Sequence, residues 1–231
     1  MEILKIDKLG KVRESVREGK LREDIARQIE SRLPLLEEAI SRIEAASKLN
    51  YPPYYIMPLL IIVKSEVEYT TGIYYARNVA AVVNGRLNLL IEFTAPLLLY
   101  ASRETLQAVA AHEFTHYLEL IRRFTTALVT SPSPSTIFEA TYKDMQEAFP
   151  PAKIFGKYRS LVTLIEKKFP SGFVDEPLNK RTIKNWLDMK LPYAVVRPDD
   201  NAVSIPVQAI ANANLDPVAV EKIKSLGDGL N

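Results

Sequence analysis

"NVAAVVNGRLNLLIEFTAPLLLYASRETLQAVAAHEFTHYLEL", residues 78–120, changes its periodicity halfway along. The first half is two β-prone runs around Asn84-Gly85, a dipeptide suited to a tight primed turn between antiparallel strands. The second half reads as a helix. Ser102 can cap it and Glu104 lies in its first turn, where the dipole favours an acid. Leu106, Val109, Ala110, Phe114, Tyr117, Leu120 and Ile121 wrap much of its circumference, so the helix is expected to be partly buried. A hairpin feeding a partly buried helix sets the expected fold class: α+β, with a small mixed sheet and additional helices.

The helix contains both histidines of the chain, His112 and His116, with Glu113 directly after the first. Residues four apart share a helix face one turn apart. Two imidazoles so placed can turn their ring nitrogens towards one ion. The neighbouring carboxylate can then reach a metal-bound water without being a ligand, which is the physical content of the H-E-x-x-H pattern. Two randomly placed histidines would meet this spacing with that glutamate on the order of once in a thousand. The competing reading makes them structural histidines of a buried face, which would need buried partners.

The chain has no cysteine, so disulfides and thiolate metal sites are both excluded. A third ligand must therefore be a carboxylate. Downstream candidates are Glu119, Glu139, Asp144, Glu147 and Glu166. Glu119 points along the same helix rather than across the ion. Glu139 is favoured, because it begins a further expected helix after a loop ("TSPSPS") long enough to reverse direction. Its bland alternative is a solvated residue paired with Lys143. A di-iron bundle site would need a second Glu-x-x-His, and no histidine remains to form one.

Further out, residues 11–49 read as helix, with Ile25, Ile29, Leu33, Leu36, Ile40 and Ile43 at three- and four-residue steps and Pro34 expected to break or kink the run. "NYPPYY" ends it. "YYIMPLLIIV" reads as a buried strand or strand pair and is too short to span a bilayer. "IFGKYRSLVTLIEKKF", "TIKNWLDM" and "PVAVEKIKSL" read as helices, and "YAVVRPDDNAVSIPVQ" as a hairpin. The expected organisation is an N-terminal helical arm at 1–50, a catalytic core at 51–169 and a C-terminal extension at 170–231.

Hydrophobic residues make up 47% and charged residues 25%, an ordinary globular balance. The net charge of +2 is too mild, and too evenly interleaved, to indicate nucleic acid. No secretory signal is visible at the N-terminus. The expectation is a cytoplasmic protein with neither a membrane nor a nucleic-acid partner.

"ETLQAVAAHEFTHYLEL" followed by "IFEATYKDMQEAFPPAKIFGKYRSLV" resembles the gluzincin group of zinc metallopeptidases, and within it the minimal archaeal gluzincins and lethal-factor-like catalytic cores. The likeness covers roughly residues 75–165. It implies a zincin-like core, a Zn2+ ion on His112, His116 and Glu139, Glu113 as general base and acid, and a peptide or protein substrate bound in extended form. It further implies that "RLNLLIEF" is the edge strand above the cleft, where such a peptide would add. The chain departs from the thermolysin-like pattern around Glu139, where Lys143 and Asp144 follow. It also has no third histidine for the oxyanion; Tyr142 or Tyr158 are the candidates, with arginine the other option. The expected activity is zinc-dependent peptide hydrolysis. Two alternatives keep other outcomes open: an inactive or autoinhibited zincin-fold protein acting as a regulatory module, and a binding protein whose histidine helix is core.

Overall fold

Asn84 and Gly85 have φ of 51° and 72°, the left-handed pair that a type I′ turn demands. The flanking strands β4 (Ala76–Val83) and β5 (Arg86–Thr94) pair antiparallel from Val83–Arg86 to Ala76–Phe93. The structure, a computed structural model, describes residues 6–64, 71–130, 148–196, 209 and 211–227. On the far side of β5, β1 (Tyr54–Met57) pairs in parallel, giving the order β1-β5-β4.

This order corrects the expectation that "RLNLLIEF" is the edge. β5 is the central strand, paired on both sides and buried from Leu87 to Thr94. β4 is the edge. The physical reason lies in the residues: a near-continuous apolar run suits a strand covered on all sides, whereas a half-exposed strand tolerates the mixed pattern of β4.

A second sheet has the order β3-β2-β6, from β2 (Leu60–Lys64), β3 (Thr71–Tyr74) and β6 (Tyr193–Val196). β3 runs antiparallel to β2, and β6 runs parallel to it. The second arm of the hairpin expected after β6 lies outside the described residues.

The N-terminal region forms two helices rather than one. α1 (Gly10–Arg17) ends at a turn where Gly19 has φ 69°, and α2 covers Glu23–Ser47. Pro34 does not break α2. Its ring removes one hydrogen bond, to the carbonyl four residues back. Pro34 and Glu30 are both exposed, so water can satisfy the freed group.

After β5, a short α3 (Ala95–Tyr100) leads into α4 (Arg103–Thr130). Ser102 caps α4: its Oγ accepts from the Thr105 N–H at 3.1 Å. α2 and β4 both pack against α4. Beyond residue 147 come α5 (Pro151–Phe155), α6 (Arg159–Lys168), α7 (Glu176–Asp188) and α8 (Pro217–Gly227). One hydrophobic core joins residues from Leu9 to Ile223, with Phe93, Phe114, Phe155 and Trp186 fully enclosed. The fold class is α+β. No helix among the described residues is long and apolar enough to cross a membrane.

Candidate metal centre on the α4 helix

His112 and His116 lie one turn apart on α4, and their Nε2 atoms converge to 3.0 Å. The rings stand almost perpendicular, at 89°. A tetrahedral ion bound at 2.0–2.1 Å from each nitrogen would hold them about 3.3 Å apart, within a small ring rotation of the observed geometry. Without an ion, the same distance lets one imidazole donate to the other. Both histidines are half-buried. Burial, then the proximity of His116, pushes the His112 imidazole down to about 3. It is therefore neutral at pH 7, the form that can ligate a metal.

Phe169, which closes α6, stacks on the His112 ring at 3.7 Å between centroids and 12° between planes. Phe173 packs on Phe169, and Tyr75 on Phe173. The Tyr75 hydroxyl donates to Thr182 Oγ1 at 3.0 Å. This aromatic row pins the segment after α6 over His112.

Glu113 faces the edge strand. Asn78 of β4 donates through Nδ2 to Glu113 Oε2 at 3.0 Å and to the Glu113 carbonyl at 3.1 Å. Burial pushes the Glu113 carboxyl above its usual 4.5, against the opposing pulls of His116 and of the Asn78 bond. The carboxyl thus lies next to the imidazole pair on one helix, where a carboxylate can accept a proton. Tyr74 is also within electrostatic reach of Glu113, although burial is the main cause holding its phenol above 10.0.

Glu139 and Tyr142 lie outside the described residues, as do Asp144 and Glu147. Among the described residues, no cluster of three metal-ligating side chains forms. Glu119 is engaged elsewhere: Oε1 accepts from Arg122 and Arg123, and Oε2 from Arg122 at 2.9 Å. Burial raises its carboxyl, but the two guanidiniums outweigh that and hold it below 4.5. Glu166 is exposed on α6. Tyr158 is exposed at the opposite end of α6 from Phe169, roughly 15 Å away by helical rise.

Asn78, Tyr74 and Phe169 were not singled out from the sequence. A signal existed for Asn78, an amide at the inward register of a strand whose inward neighbours are Ala76 and Ala80. Phe169 offered none. No family model, characterised protein or solved structure matches this chain.

Proposed function

We propose that this chain is a zinc-dependent peptidase with a zincin-like core of the gluzincin type, working in the cytoplasm. One observation carries the reading: two imidazole nitrogens converge beside a buried carboxyl, under a strand whose outer edge pairs with nothing among the described residues. His112 and His116 would hold the ion, with Glu139 as the proposed third ligand. Zinc, when bound, would supply Lewis acidity and bring the pKa of water towards about 7.

The protein's own groups do the rest. Glu113 takes a proton from the attacking water and returns it to the leaving amine. Asn78 keeps the Glu113 carboxyl turned towards that work. An extended peptide would add to the free edge of β4, where main-chain hydrogen bonds hold it with little regard to its sequence. The oxyanion donor is proposed to be Tyr142 or Tyr158.

The test is the Glu113→Gln variant. It should keep one zinc per chain by elemental analysis while hydrolysis of a generic peptide library falls about 10²–10⁴-fold. Zinc should also raise the melting temperature, and a strong chelator should reverse the rise. A wild-type protein supplied with zinc that retains none of it sinks the proposal.

A second reading, an autoinhibited form, is favoured by the Phe169 ring stacked on His112. Removing residues 221–231 is a poor test of it, because Ile223 belongs to the core. Phe169→Ala tests it directly. Faster turnover with unchanged zinc content supports a regulated form, and unchanged turnover counts against one.

A further inference from the structure

At the start of α4, nine residues before His112, a cavity of about 300 Å³ is lined by Arg32, Tyr100, Ser102, Lys168, Asp175 and Arg181, among others. Its charges do not cancel. Lys168 donates to Asp175 Oδ2 at 2.6 Å, and that pair neutralises itself. The two arginines meet only main-chain carbonyls. Arg32 donates to Leu98 O and Ala101 O at 2.5 and 2.6 Å, and Arg181 to Tyr100 O at 3.5 Å. Among the described residues, no carboxylate lies within 4.0 Å of either guanidinium.

We propose that this cavity binds a small oxyanion of the phosphate class, held by the guanidiniums of Arg32 and Arg181. Each guanidinium carries five N–H donors in a planar fork, and Arg32 uses only part of its set on the carbonyls. Two unneutralised guanidiniums match the charge of a phosphate dianion, and their geometry suits its oxygens. The positive end of α4, a 28-residue helix, adds to the same potential. Inorganic phosphate and a phosphate monoester present the same group. The site does not depend on a metal at the histidines.

The experiment is thermal unfolding of the full chain during a titration with inorganic phosphate, compared with sodium chloride of equal ionic strength. EDTA is present throughout, so that an ion on the histidines plays no part. The expected result is a saturable rise in melting temperature of about 3–6 °C. Arg181→Gln, at an exposed side chain, should raise the half-saturating concentration about 10-fold or more, and Arg181→Lys, which keeps the charge but loses the planar fork, about 3-fold. Phenyl phosphate in place of inorganic phosphate separates the sources: tighter binding assigns the site to a monoester, and weaker binding to the free ion. A rise that never saturates, that chloride reproduces, or that survives intact in both variants is a general salt effect and overturns the proposal.

Discussion

Asn78 is the residue on which the geometry at α4 turns. Its side chain is 7% exposed, and both of its bonds from Nδ2 go to Glu113, while Oδ1 is buried without a partner. The chain has thus accepted an unpaired acceptor to place a donor against one carboxyl. Asn78→Asp replaces that donor with a second carboxylate. It should lower stability at pH 7 by about 2 kcal/mol, read as a fall in the urea midpoint, and cut the proposed peptide hydrolysis. The Asn78→Ala variant, with no added charge, should lose less stability and still lose about 10-fold of the proposed activity, with no change in the proposed zinc binding. An activity equal to wild type in both variants would remove Asn78 from the site. His112, Glu113 and His116 were legible in the sequence because their relation is local: four residues along a helix always share a face. Asn78 and Glu113 are brought together by packing between a strand and a helix, and no periodicity announces that.

Among the elements, α7 shows how a single acid ties three segments. Asp175 caps it by accepting from the Leu178 N–H at 3.1 Å, and also accepts from Lys168 at 2.6 Å and from the Thr105 hydroxyl of α4 at 3.2 Å. Partial burial would raise its carboxyl. The Lys168 ammonium and the Leu178 N–H outweigh that and hold it below the usual 3.8. A carboxyl with a lowered folded pKa contributes stability that is fully present above the unfolded value and is lost as the pH falls through the folded one. Asp175→Asn keeps a capping oxygen but loses the ion pair. It should cost about 1 kcal/mol between pH 5 and 7, with the gap to wild type closing below pH 3.8, as urea midpoints across pH would show. A gap independent of pH would mean that the ion pair contributes nothing. The hairpin of β4 and β5 was readable because its turn and pairing are contiguous in sequence. The placement of β1 beside β5, and so the identity of the edge strand, was not, because parallel pairing joins segments far apart in the chain.

Across the whole molecule, the three stretches expected as arm, core and extension share one interior. Ile29 of α2 is fully buried, and so is Trp186 of α7, the chain's one tryptophan. If that interior melts as a unit, Ile29→Ala should cost about 2–5 kcal/mol, and the tryptophan fluorescence midpoint should shift by the same amount as the helical circular dichroism. Separate midpoints would show that the N-terminal helices unfold independently. The sequence by itself determined the β4–β5 hairpin, the α4 helix and the histidine pair on it, because helical period, strand propensity and turn chemistry act over a few residues. Only the tertiary structure decided which strand is the open edge, which amide grips Glu113, which aromatic ring covers His112 and where two arginines are left without an acid. Those outcomes come from the burial of apolar surface across long chain separations, which selects among many locally equivalent pairings.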